Sequence, residues 1–250
     1  MGIFSIFQRN DVLYYPGCSS IKFKEYLELY KKIFEKLKIP FVVLNSSCCG
    51  LALLESGYEI ESRKTMRKNL HLFKENGITE IFTTCPACFR MFKEYEKLPD
   101  FDLKILNIWD LILDKLEKKP RLIKNKSDEE IGYHDNCYLG RYSQIYESPR
   151  KILELLGYSI KEFEDSRENS FCCGSCGGLY RINPELANKI AKERILQAKR
   201  KGIKKIIVTS LDNYEILKNN TKDIEILELS DVLGKALKIK KENKEEILIN

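Results

Sequence analysis

The sequence predicts an α/β fold made of two tandem copies of one unit, each a small, mainly parallel sheet flanked by helices. Three observations carry that prediction. Strand-like and helix-like patterns alternate along the chain, the order that gives parallel strands joined by helical crossovers. Cysteine motifs recur in the same order in both halves: Cys18, then Cys48–Cys49–Gly50, then Cys85–Pro86–Ala87–Cys88, against Cys137, then Cys172–Cys173–Gly174, then Ser210–Leu211–Asp212–Asn213. The intervals also agree, with 29 and 34 residues before the cysteine pair and 35 and 36 after it. Internal repetition of this kind implies a duplicated unit. The copies are expected over residues 11–119 and 130–240.

In chain order, residues 22–37 carry Phe23, Leu27, Tyr30, Phe34 and Leu37 at helical spacing, and Pro40 then opens a strand-length apolar run, Phe41–Leu44. A helix over 58–76 stops at Gly77, a strand follows over Ile78–Thr83, and another helix starts at Pro86, where proline is tolerated. In the second copy a helix over 184–201 stops at Gly202, with a strand over 203–209. Flanks align as well: Gly77–Ile81 with Gly202–Ile206, Leu103–Leu106 with Ile224–Leu227, and Trp109–Asp110 with Ser230–Asp231. The polar stretch Lys118–Glu130 reads as the linker, and Lys238–Glu246 as a mixed-charge helix end. Sites in parallel sheets form beyond the carboxyl ends of strands, where both Cys85 and Ser210 fall.

Composition narrows the function. The 250 residues are 43% hydrophobic and 32% charged, which describes a folded globular chain. The net charge of +6 is spread over predicted helix faces as solvated surface, with no basic stretch interleaved with aromatics, so no nucleic-acid partner is expected. No apolar run is long enough to insert directly in a membrane. Met1–Asn10 lacks the pattern of a secretory signal, so a cytoplasmic location is the default expectation.

Nine cysteines in such a chain require a chemical reason. Disulfide staples are disfavoured in a reducing compartment, and these cysteines are clustered, which points to metal. Thiolates are soft ligands for zinc or iron–sulfur clusters. Cys85 and Cys88 stand at a spacing that one centre can use. Adjacent side chains such as Cys48 and Cys49 diverge, and five cysteines exceed the four ligands of one zinc, which favours a multi-iron core without eliminating zinc.

The pattern C-x29-CCG-x34-CPAC resembles the cysteine-rich CCG domain found in the B-type subunit of heterodisulfide reductase and in the iron–sulfur subunits of glycolate, lactate and glycerol-phosphate oxidising systems. The second copy's His134–Asp135–x–Cys137–x–Leu139–Gly140–Arg141 and Glu168–Asn169–Ser170–Phe171–Cys172–Cys173–Gly174 are similar to that family's tandem domain. The resemblance spans roughly residues 11–237 and implies two CCG domains related by a pseudo-twofold. It also implies that Cys18, Cys48, Cys49, Cys85 and Cys88 hold a [4Fe–4S] cluster, which is non-cubane in the reductase.

The second copy departs from the family, because Ser210 and Asn213 replace its C-x-x-C. Cys137, Cys172, Cys173 and Cys176 make a four-thiolate set sufficient for a second cluster or zinc; the alternatives are idle cysteines, or a redox dithiol at Cys173 and Cys176. Ser210 is a weak candidate oxygen ligand. His134 and Arg141 are candidates for supporting roles, His134 through a hydrogen bond or a proton and Arg141 through charge, against strand capping and a structural salt bridge. His71 is expected at the surface and Trp109 in the core. Gly174, Gly177 and Gly178 mark a tight turn and lack the setting of a dinucleotide fingerprint.

The resulting expectation is an iron–sulfur oxidoreductase subunit that takes electrons from a partner and reduces a disulfide or another small-molecule substrate, or passes the electrons on. The chain has no ferredoxin-type cysteine run and no flavin or nicotinamide fingerprint, so the donor is expected to be a separate iron–sulfur or flavin protein. The alternatives are an electron-relay component of a small organic-acid dehydrogenase and a non-catalytic zinc-binding scaffold.

Overall fold

Two parallel sheets share one strand plan. The computed structural model describes residues 11–242. The first copy runs β1 (Val12–Tyr14), α1 (Ser19–Lys22), α2 (Lys24–Leu37), α3 (Leu51–Glu55), α4 (Glu59–Glu75), β2 (Glu80–Phe82), α5 (Pro86–Tyr95), β3 (Lys104–Leu106) and α6 (Ile108–Lys118). The second runs β4 (Glu130–Tyr133), α7 (Glu147–Leu155), β5 (Ser159–Ile160), α8 (Leu179–Ile182), α9 (Pro184–Arg200), β6 (Lys205–Val208), α10 (Leu211–Asn219), β7 (Glu225–Glu228) and α11 (Leu229–Leu237). Strand order is β1-β2-β3 in one sheet and β5-β4-β6-β7 in the other, all parallel. A parallel bridge from Leu13 to Val42 occupies the place of β5 in the first sheet, so the copies correspond strand for strand.

The expected α/β repeat is therefore what forms, with local corrections. Residues 41–44 do not make a full strand: Val42 is bonded to β1 through Tyr14 N–H to its carbonyl (2.9 Å) and its own N–H to Val12 (2.8 Å), and the chain then leaves toward Cys48. The helix expected over 22–37 is interrupted at Phe23 (φ −118°, ψ 58°), whose ring is buried against Tyr26 and Tyr214. The linker is not free chain: it forms a 3-10 turn at Pro120–Leu122, and Lys124 N–H bonds the Ala236 carbonyl (2.8 Å). The last helix ends at Leu237, so the mixed-charge tail does not extend it; residues 243–246 of that tail, like the Met1–Asn10 segment, lie outside the described residues. Trp109 is buried, and His71 is on the surface beside Glu75.

The halves share a core. Tyr30, Ile33 and Phe34 of α2 lie in one buried cluster with Val232, Leu233 and Leu237 of α11, and Trp109 and Ile112 of α6 join Ile152 and Leu153 of α7. Burial of such side chains stabilises by roughly 1.5–3 kcal/mol each, so this interface is a folding core and not a loose contact. At its edge the Tyr30 hydroxyl donates to the buried Glu228 carboxylate (2.6 Å), which also caps α11 by accepting the Ser230 N–H (2.7 Å).

Beneath the second-copy cysteines, Arg150 binds both oxygens of Asp135 (2.7 and 2.8 Å) and both of Glu162 (2.7 and 2.9 Å), with Arg150 and Asp135 side chains each only 3% exposed. Asp135 also accepts the Arg167 N–H (2.8 Å), which fixes the loop leading toward Ser170. Removing one partner of such a pair strands the other charge in a poorly solvating interior. Arg150→Met is expected to cost about 3–5 kcal/mol of unfolding free energy in urea titration, and a loss below about 1 kcal/mol would contradict this account.

Burial pushes the Glu228 carboxyl up to about 7, against lowering by Ser230 and Tyr30 hydrogen bonds and with a further rise from the Asp231 charge. A carboxyl raised on folding favours the protonated folded state. Its contribution is whole below the unfolded value near 4.5 and is lost as pH rises through 7. Glu228→Gln is expected to remove about 3 kcal/mol of the stability decline between those two pH values, as measured by denaturant titration at each. Parallel pH profiles for the two proteins would contradict the assignment.

Candidate metal centre

Pairing of β1 with β2 in register from Val12↔Glu80 to Tyr14↔Phe82 brings the two loops beyond their carboxyl ends side by side. One loop carries Cys18 and the other Cys85. Cys85 caps α5, its N–H donating to the Thr83 hydroxyl (3.0 Å), and Pro86 at the first helical position directs Cys88 back to the same side. Gly17 lies against this turn with φ +81°; a Cβ there would stand 2.9 Å from Cys85 Cβ and 3.3 Å from Cys88 Sγ. Only glycine lets the loop cross the C-x-x-C at that distance.

The Cys48–Cys49 pair is held through its backbone. Asn69 of α4 accepts the Ser47 N–H (3.1 Å) and donates to the Cys48 carbonyl (3.0 Å), while the Tyr95 hydroxyl donates to the Cys49 carbonyl (3.0 Å). The Tyr15 hydroxyl donates to the Ser47 carbonyl. Gly50 then turns the chain at φ +94°, as Gly174 does in the second copy at φ +87°, where a Cβ would meet the Ala187 carbonyl oxygen at 2.4 Å. The positive φ explains the glycine of each Cys-Cys-Gly, and at Gly174 the close backbone adds to it.

All five first-copy sulfurs come together. Cys48 reaches both Cys18 and Cys49, Cys49 reaches Cys88, and Cys88 reaches Cys85. Hydrogen bonds from Cys18 and Cys49 draw the Cys48 thiol down to about 2. The Cys48 contact pushes Cys18 and Cys49 upward, and contacts with Cys49 and Cys85 together with burial raise Cys88 well above an ordinary thiol. One thiolate is thus accepted readily and each further one is resisted by its neighbours, a repulsion that a cationic core among the sulfurs relieves. The thiols touch one another directly. Among the described residues no group of three or more His, Cys, Asp or Glu is arranged to hold a metal ion as the side chains stand, so binding a core requires the sulfurs to spread. Space adjoins them: a cleft of about 450 Å³ is lined by Cys18, Cys48, Cys49, Cys85 and Cys88.

The second copy closes the other side of that cleft with Tyr138, Cys176, Arg181 and Asp212. The Tyr138 hydroxyl donates to Glu55 (2.7 Å) and accepts the Gly177 N–H (2.9 Å), tying the second-copy loop to the first copy. Ser19 donates to Asp212 (2.8 Å), Lys22 pairs with Glu215, and Arg90 pairs with Glu55 (2.9 Å) while covering the Tyr142 ring.

The second-copy cysteines are arranged differently. Ser210 caps α10 where Cys85 caps α5, and Asn213 takes the place of Cys88. Asn213 donates to Cys173 Sγ (3.0 Å) and Ser175 Oγ (2.6 Å) and accepts from Asn136 (2.6 Å). Cys172 accepts the Gly174 N–H (3.3 Å). Cys176 lies against Cys137, sulfur to sulfur at 3.0 Å, whereas the alternative dithiol reading pairs Cys176 with Cys173. Burial raises Cys172, and raises Cys173 to about 12, whereas the Cys176 contact and the Arg141 charge lower Cys137. The space these four cysteines enclose with His134, Asp135, Arg141 and Asn213 is ≈ 0 Å³.

His134 is buried, and its Nδ1 accepts from Arg194 (3.2 Å); burial and the Arg194 charge push its pKa well below the usual imidazole value. Arg141 is positioned by a backbone carbonyl and not by the expected salt bridge: it donates to Ser170 O (2.6 Å), leaving its charge beside Cys137 and Cys172. Sequence reading missed Asn69, Tyr95 and Tyr138, which grip backbone. Tyr138 alone carried a signal, standing next to Cys137 inside the quoted motif.

The D-type subunit of the dihydromethanophenazine:CoB--CoM heterodisulfide reductase of Methanosarcina acetivorans is 27% identical over 204 residues, covering 77% of this chain and 50% of its own length. The probable iron-sulfur-binding oxidoreductase FadF of Bacillus subtilis is 32% identical over 185 residues, covering 68% of this chain and 26% of its own. The chain thus spans half or less of the length of these curated relatives, and the reductase relative is of the D type where the motif suggested the B type. A crystal structure of a hypothetical protein from Helicobacter pylori superposes with TM-score 0.60 at 14% identity, covering 96% of this chain and 51% of that one, a likeness of fold alone. Among the described residues no helix is long and apolar enough to cross a membrane. The family model of the CCG cysteine-rich domain matches twice, over residues 12–93 and 131–212, and the chain belongs to that family.

Proposed function

We propose that this chain is the cluster-bearing part of an iron–sulfur oxidoreductase, holding one [4Fe–4S] cluster through Cys18, Cys48, Cys49, Cys85 and Cys88. The observation that carries the reading is the meeting of five sulfurs, from three separate loops, at the wall of a cleft that the second copy completes. When bound, such a cluster supplies one-electron transfer.

The chain's own residues set the terms of that transfer. Gly17, Asn69 and Tyr95 hold the sulfurs in position, and buried Cys49 and Cys88 anchor the side away from solvent, while Cys18 and Cys48 are exposed toward the cleft. That asymmetry leaves an open face where a disulfide or other small substrate can approach. Lys22 and Arg181 offer positive charge there, opposed by Asp212 and Glu215. Electrons come from a partner protein carrying iron–sulfur or flavin centres, a reading supported by relatives that are components of oxidoreductases. Disulfide reduction is favoured over simple relay because the cleft, about 450 Å³, is large enough to admit a small molecule.

Anaerobic purification with iron and acid-labile sulfide analysis tests the centre. One cluster's iron per chain is expected, falling at least several-fold in Cys88→Ala and in Gly17→Ala, where the new methyl would press on Cys85. Cys172→Ala is expected to leave iron content unchanged. Colourless protein with stoichiometric zinc and no sulfide would establish the scaffold reading instead. Paramagnetic resonance separates reductase from relay: a signal that changes on adding a small disulfide is expected, and indifference to every disulfide tried, together with co-purification of an acid-oxidising flavoprotein, would favour relay.

A further inference from the structure

From the sulfur contact in the second copy we infer that Cys137 and Cys176 are a redox-active pair, cycling between dithiol and intrachain disulfide by exchange with small disulfides and thiols entering the cleft. The two sulfurs stand 3.0 Å apart, and a disulfide requires about 2.0 Å, so a small side-chain movement closes the bond. No other second-copy cysteine competes. Cys173 is fully buried and engaged by Asn213 and Ser175, and Cys172 accepts a backbone N–H. Asn213, standing where the family pattern places a cysteine, thus withdraws Cys173 and leaves the other two sulfurs to each other.

Position and charge fit exchange. Cys176 lines the cleft and Cys137 does not, so Cys176 receives the incoming sulfur. Both pack against the hydrophobic cluster that contains Cys49 and Cys88, which sets the pair beside the first-copy sulfurs. Arg141 is held beside the pair by the Ser170 carbonyl and favours a thiolate. The loop bearing Cys176 is tethered by Gly177 to Tyr138 and through it to Glu55.

In the reducing direction the pair holds one shared proton, which passes to Cys137 as Cys176 attacks one sulfur of a small disulfide. A mixed disulfide forms and one thiolate leaves. Cys137 then attacks the Cys176 sulfur, the second thiolate departs, and the pair's one proton and a second from solvent end on the two released thiols. The protein is oxidised by two electrons and the substrate reduced by two; two thiols run the sequence backward and restore the pair. This scheme deepens the proposed reductase reading, but the dithiol itself does not depend on the cluster.

The test is to equilibrate anaerobic full-length protein across ratios of reduced to oxidised glutathione, quench in acid, alkylate, digest and map the cysteines by mass spectrometry. A peptide cross-linked between Cys137 and Cys176 is expected to appear as the ratio becomes oxidising and to vanish on its return. It should persist in Cys173→Ala and be lost in Cys176→Ala. Single alkylation of Cys137 and Cys176 at every ratio would overturn the inference, as would linkage of Cys176 to Cys172 or Cys173. Loss of a cluster's worth of iron in Cys176→Ala would overturn it as well. Iron measured on the same samples keeps the two readings apart: the cross-link in iron-free protein would defeat the cluster assignment and uphold the dithiol.

Discussion

The parallel pairing of β1 with β2 is the constraint on which the site depends. Three paired residues per strand set the separation of the loops that follow, and those loops carry Cys18 and the C-x-x-C of Cys85 and Cys88. Gly17 then lets one loop rest on the other, close enough that a single added methyl would collide with Cys85. The Cys48–Cys49 pair arrives from a different direction and has no sheet to hold it. Side chains do that work: Asn69, Tyr95 and Tyr15 satisfy the carbonyls and an amide of residues 47–49, polar groups that would otherwise cost stability so close to the core.

The second copy keeps the scaffold and changes the chemistry. Its strand order repeats the first, and Ser210 caps its helix as Cys85 does, yet the sulfurs no longer form one contiguous set. The difference is traceable to Asn213. An amide both donates and accepts, so it can bridge Cys173, Ser175 and Asn136 at once, and it fills with hydrogen bonds the space that thiolates lined around a metal would leave open. The network beneath that loop ties it down, Arg150 pairing with buried Asp135 and with half-buried Glu162, and Arg167 supplying the second cation on Glu162.

Neither copy makes the cleft alone. Packing of α2 on α11 and of α6 on α7 buries one shared cluster, and the polar contacts at its edge, such as Tyr30 with Glu228 and Tyr138 with Glu55, set the two cysteine regions facing each other. The opening of the cleft, the charge around the sulfurs and the proximity of the two sets all follow from that packing.

Much was legible in the residues themselves. Matching motif intervals announced the duplication, Gly77 and Gly202 marked helix ends, and the spacing of Cys85 and Cys88 across a proline-started helix foretold a pair on one face. These features are local, governed by backbone preference and side-chain period, so they survive without knowledge of contacts. The sequence by itself determined the repeat, the parallel α/β plan and where along the chain the cysteines cluster. Which sulfurs meet was decided only by tertiary structure: the partnership of Cys137 with Cys176, the capture of Cys173 by Asn213 and the neutral His134 against Arg194 join residues 39, 40 and 60 positions apart. Contacts at such separations arise from helix packing and sheet register, which no local pattern encodes.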